Sequence, residues 1–122
     1  MRKINVSNIV RNMYDFQLTH NNKHIGSCKL IINHHDATIN HIEINDSHKR
    51  GGHGSWLLQE TEKILKKNHD VQKISLLGWQ PSGSFDIVDF YKKNGYVNTY
   101  KHSGVYDDYV TLFDLYHLHK II

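Results

Sequence analysis

The run Lys49-Arg50-Gly51-Gly52-His53-Gly54-Ser55 joins a segment with strand alternation, Thr38 to Ile44, to one with helical period, His53 to Asn68. A basic, glycine-rich loop that opens a helix is a place to hold an anion. Glycine lets the backbone turn tightly and come close to a ligand. The first N–H groups of a helix have no partner within it, and the helix dipole favours negative charge there. Lys49 and Arg50 add positive charge, so the simplest ligand is a phosphate or pyrophosphate. Two familiar phosphate loops do not fit. The dinucleotide pattern requires a third glycine where Leu57 stands, and the nucleoside triphosphate loop closes on a Gly-Lys-Ser/Thr triplet that is absent.

The neighbouring segments set this loop in a mixed fold. Tyr14 to Thr19 and Ile25 to Asn33 read as the strands of a hairpin, with His20 to His24 as the polar turn. After the turn at His34-His35-Asp36, strict alternation over Thr38 to Ile44 puts Ile39, His41 and Glu43 on one face and Asn40, Ile42 and Ile44 on the other. In the helix His53 to Asn68, Leu57, Leu58, Thr61, Ile64 and Leu65 share a face. Lys73 to Leu77 reads as a short buried strand. Ser84 suits the N-cap of a second helix, Phe85 to Asn94, which Asn94-Gly95 ends. Strands near Tyr96 to Tyr100 and Tyr109 to Tyr116 follow. The sum is an α+β domain spanning residues 1–122, with a mixed, mostly antiparallel sheet of about six to seven strands and two main helices packed on it.

Composition excludes several classes. The 122 residues suffice for one domain with its own core. No apolar run approaches the roughly 18 residues of a membrane span, and the start Met1-Arg2-Lys3-Ile4-Asn5-Val6 lacks the apolar segment of a secretory signal. Cys28 is the single cysteine, which rules out an internal disulfide and fits a reducing, cytoplasmic setting. A net charge of +3, from 15 Lys and Arg against 12 Asp and Glu, suits a small polyanion better than a nucleic-acid track. No basic stripe with interleaved aromatics accompanies the seven tyrosines. Of the 11 histidines, His20 and His24 flank a turn, His34 and His35 are adjacent, and His117 and His119 alternate on a strand. None has metal-site spacing with a cysteine partner, so no metal is expected.

The second informative run is Asp89-Phe90-Tyr91-Lys92-Lys93-Asn94-Gly95-Tyr96. With the glycine loop, in this order and on these elements, it resembles the GNAT superfamily of acetyl-CoA-dependent N-acetyltransferases over about Ile25 to Tyr116. The loop matches at Lys49, Arg50, Gly51, Gly52, His53 and Gly54, with Lys49 where the family usually has Arg or Gln. The second motif matches at Phe90, Tyr91, Gly95 and Tyr96. The resemblance implies acetyl-CoA as cofactor and a primary amine as acceptor. It implies that Lys49 and the backbone N–H groups of Arg50 to Ser55 grip the diphosphate. Ile42 and Ile44 would pair with pantetheine through their backbone, and Ser84 stands where an Asn often meets that arm.

Tyr91 matches the family's usual acid for the departing thiolate; a phenol is reasonably matched to a thiol. The family's base positions fall on Thr38 and Asn40, neither a useful base, so those two are assigned to the acceptor side. His41 and Glu43 are the nearby candidates, and a bulge in the strand would bring them to the right face. Only about a dozen residues precede the hairpin, too few for the two helices that usually wall the acceptor site. An open acceptor side, which suits a protein lysine or N-terminus, or a homodimer that completes it around a small amine, is therefore expected. A coenzyme A-binding or interaction domain of the same fold without turnover is the other reading.

Overall fold

The computed structural model describes residues 1–45, 52–81, 86–106 and 112–122. The chain forms two compact units, Met1–Ile74 with Ile122, and Ser75–Ile121. Seven strands and two helices are described, and every strand pair whose register is resolved is antiparallel.

In the first unit, β1 (Arg2–Val10), β2 (Met13–His20), β3 (Lys23–Asn33) and β4 (Asp36–Ile44) are sequential neighbours, each antiparallel to the last. The first hairpin was not anticipated: β1 occupies residues to which no element was assigned, and the turn Arg11-Asn12 joins it directly to β2. The polar content of β1, with Asn5, Ser7 and Asn8, hides its strand character. The β2–β3 turn is tighter than the five residues expected. His20 pairs with Lys23, and Asn21 and Asn22 both take positive φ, 53° and 66°. That is the backbone of a two-residue hairpin turn, which Asn tolerates well.

One face of this sheet is apolar. Phe16 and Leu18 of β2 are fully buried, as is Cys28 of β3; Leu30, Ala37 and Ile39 are nearly so. The helix α1 (His53–His69) packs on β3 and β4 and buries Leu57, Leu58, Thr61 and Leu65. Those positions are the helical stripe expected, except that Ile64 lies half-buried at its margin. The helix ends where Asp70 takes φ 54°; its N–H and that of Val71 both donate to the Leu65 carbonyl.

Gly26 lets the end of β4 close on β3. A Cβ there would lie 2.4 Å from the Glu43 carbonyl oxygen and 2.7 Å from Ile44 Cδ1. Any side chain would push apart the strand pair that carries Ile42 and Ile44.

In the second unit, β5, β7 and β6 are neighbours in that order. The strand β5 (Lys73–Pro81) starts in the first unit, outruns the expected Leu77, and is followed by α2 (Asp86–Lys93), β6 (Val97–Tyr106) and β7 (Leu112–Ile121). The last two strands are longer than their apolar patterns implied, and β7 continues to Ile121 rather than ending at Tyr116. Val88 and Tyr91 of α2 are buried, as are Tyr96, Tyr116 and Leu118. Ser84, the expected N-cap of α2, lies outside the described residues, as do Lys49, Arg50 and Gly51 of the loop.

Candidate active site

Strict alternation fails in β4, and the failure shapes the site. Leu30 of β3 faces Ile39, but the next residue back, Lys29, faces His41, so Asn40 is an extra residue in β4. A bulge of this kind re-aims the side chains beyond it. Ile39 and Ile42 therefore share the core face, opposite Leu30 and Cys28, while His41 and Glu43 point with Thr38 to the other side. The grouping of Ile39 with His41 and Glu43 is thereby corrected. His41 Nε2 lies 3.1 Å from Glu43 Oε2, and both side chains are more than half exposed. Thr38 and Asn40 are exposed beside them.

Ile42 and Ile44 are half-buried, and their partners are Cys28 and Gly26. Asn45 extends the pairing: its N–H donates to the Ile25 carbonyl at 2.8 Å, and its side-chain amide to the His24 carbonyl.

Gly52 is the N-cap of α1, with φ 72°. Gly52 offers no side chain to the first turn, and no acidic residue stands there to meet the positive end of the helix. Nothing lies within 4 Å of where its Cβ would be. Gly54 and Ser55 are half-buried, and His53 is buried with its ring 5.4 Å from that of His20. Arg2 lies over Trp56 at 5.4 Å on the same helix.

The Phe90–Tyr96 run is a helix end locked from several sides. Tyr96 N–H donates to the Tyr91 carbonyl and Gly95 N–H to the Lys92 carbonyl, both at 3.0 Å. These two bonds need a left-handed residue at Gly95, whose φ is 92°. The Asn94 side chain donates to the Phe90 carbonyl at 2.9 Å, and Lys120 Nζ to the Asn94 carbonyl at 2.8 Å. Tyr91 is held edge-on between Phe90 and Tyr96, at 5.1 and 5.4 Å, and is only 5% exposed.

Cys28 is no rival nucleophile. Burial, aided by the nearby Asp15 charge, pushes its thiol up to about 12, so it stays protonated. Among the described residues, no three His, Cys, Asp or Glu side chains gather as a metal site.

Comparison with known proteins decides the family. Residues 7–96 match the model of the acetyltransferase (GNAT) family. The chain belongs to the GNAT family. Its expected fold, a mostly antiparallel seven-strand α+β arrangement with two helices, is the one found. The family's donor, acetyl-CoA, is its cofactor. The ribosomal-protein alanine N-acetyltransferase of Escherichia coli superposes with a TM-score of 0.80 at 20% identity, over 93% of this chain and 72% of that one. A GNAT acetyltransferase of Elizabethkingia anophelis with acetyl-CoA bound gives 0.78 at 14% identity, over 99% and 98%. Mutant forms of the spermidine/spermine N-acetyltransferase of Vibrio cholerae give 0.77 at 20% identity, over 91% and 68%. No curated protein sequence matches the chain.

Sequence reading of this GNAT chain passed over Asp15 and Gln17. Both lie on the β2 face opposite Phe16 and Leu18, and Gln17 Nε2 donates to Asp15 Oδ2 at 2.8 Å. The alternation of Tyr14 to Thr19 already placed them together on a polar face; nothing in their residue types marked them out.

Proposed function

We propose that this GNAT protein moves the acetyl group of acetyl-CoA directly to a primary amine carried by a protein lysine or N-terminus. The observation that carries this reading is the β4 bulge, which turns a paired imidazole and carboxylate outward on the strand leading into the glycine loop.

Each step has a group suited to it. The N–H groups of residues 50–55 and the positive end of α1 receive the diphosphate, with Lys49 beside them. The backbone of Ile42 and Ile44 aligns pantetheine, and an N–H there faces the oxygen that becomes negative as the amine attacks. The family pattern assigns Ser84 to the same arm. Glu43, paired with His41, takes the proton that the attacking amine must lose. Thr38 and Asn40 line the acceptor side. Tyr91 gives its phenolic proton to the departing thiolate. The exposure of Thr38, Asn40, His41 and Glu43, and the two-residue connection between β1 and β2, favour an amine presented by another macromolecule.

Thiol release with a panel of small amines, peptides and protein substrates tests the reading. Wild-type protein releases coenzyme A with a lysine- or N-terminus-bearing acceptor. Glu43→Gln lowers kcat roughly 100-fold or more, as removal of a general base does, and leaves acetyl-CoA affinity unchanged. Full activity in Glu43→Gln, and in the double variant with His41→Gln, would remove the pair from the mechanism.

A further inference from the structure

Lysines are scarce on the strands around the candidate site. β2 and β4 have none, and β3 has two: Lys23 at the β2–β3 turn and Lys29 in mid-strand. The β4 bulge sets Lys29 directly opposite His41 and diagonal to Glu43, whose own partner is Ser27. Lys29, His41 and Glu43 share the outward face of the first unit's sheet, and all three are exposed. Directly opposed side chains start about 4.5–5.5 Å apart and diagonal ones about 7–8 Å apart, within reach of a long side chain. On its other flank Lys29 faces Asp15, but that carboxylate is buried and its Oδ2 accepts the Gln17 amide. Among the described residues no ion pair ties Lys29 to a carboxylate.

The backbone of β4 sets the other reactant close by. The Asn45 N–H donates to the Ile25 carbonyl of β3, so alternation turns the backbone groups of Ile44 and Ile42 to the opposite edge of β4. That edge is where pantetheine is aligned in the reading above. One strand spacing, about 4.8 Å, separates β3 from β4, and the four-carbon stem of a lysine can cross it. We propose that Lys29 is an acceptor within its own chain: with acetyl-CoA bound and no external amine present, the protein acetylates Lys29. The inference rests on the acetyltransferase reading above, in which Glu43 takes the amine proton. The neutral Nζ bonds to the acetyl carbon as the C–S bond breaks. One amine proton passes through Glu43, and the thiolate takes up a proton to leave as coenzyme A. Counted from the lysine ammonium, one proton is released. The product amide is uncharged and no longer nucleophilic, so each chain reacts once.

The test is intact-mass analysis of the purified protein after incubation with acetyl-CoA alone, with peptide mapping of the labelled residue. One acetyl group per chain is expected, on Lys29, at a rate per chain that does not change when the protein is diluted. Lys29→Arg removes that label and leaves calorimetric acetyl-CoA affinity unchanged, and Lys29→Gln does the same. Glu43→Gln slows the labelling roughly 100-fold. In urea-unfolded chain the preference for Lys29 over the other lysines disappears. Labelling that spreads evenly over the exposed lysines of the folded protein, persists at the wild-type rate in Glu43→Gln, or slows on dilution overturns the proposal. So does an unlabelled Lys29 in protein that binds acetyl-CoA. Transfer to an external amine with Lys29 unlabelled sinks this inference alone; protein that neither binds acetyl-CoA nor transfers its acetyl group sinks the underlying reading as well.

Discussion

Tyr91→Phe is expected to lower kcat by roughly 10²–10⁴-fold while leaving acetyl-CoA affinity nearly unchanged. The size follows from the role. A thiolate departing into a site without an acid must leave as an anion, and one positioned proton donor is worth about that much. The selectivity follows from the packing. The ring of Tyr91 is wedged between Phe90 and Tyr96, and phenylalanine keeps both edge-to-face contacts. The backbone bonds from Gly95 and Tyr96 that close α2 do not involve the hydroxyl. The stability loss should therefore not exceed about 1.5 kcal/mol, the ordinary worth of one hydrogen bond. Steady-state thiol release and calorimetric titration measure the two effects separately. A parallel loss of turnover and cofactor affinity would show that Tyr91 only packs.

Phe16→Ala is expected to have the largest effect on stability, about 3–5 kcal/mol. Phe16 has no exposed surface and pairs with Val6 on one side and Cys28 on the other, in the middle of the first unit's sheet. The vacated space would be bounded by strands on both sides, which leaves little room for collapse. Such a loss is a large share of the roughly 5–15 kcal/mol that holds a domain of this size. Urea unfolding with unchanged m-value measures it. A loss below about 1 kcal/mol would mean that this face of the sheet is not the core.

Much of this fold was legible because its core elements obey simple periods. The stripe from Leu57 to Leu65 announced α1, and Asn94-Gly95 announced the end of α2 where the chain does take a left-handed turn. Two features were hidden for physical reasons. The strand β1 is a sheet edge in which only Arg2 and Ile4 are even half-buried, so its sequence carries little apolar alternation. The bulge at Asn40 is a register choice made between strands, which β4 alone does not encode; the sequence showed only that a bulge would matter. Chemistry followed the same division. The glycine loop and the Phe90–Tyr96 run pointed to the family through local motifs, whereas Asp15 and the facing of His41 and Glu43 depend on pairing across three strands.

The glycine loop as a diphosphate cradle is most directly tested by titrating the intact protein with acetyl-CoA while its unfolding is followed. At about 100 times the dissociation constant, the bound cofactor should stabilise the fold by roughly 2.7 kcal/mol, with calorimetry returning the same constant. An unfolding transition that does not move at any acetyl-CoA concentration, with no heat of binding, would contradict it.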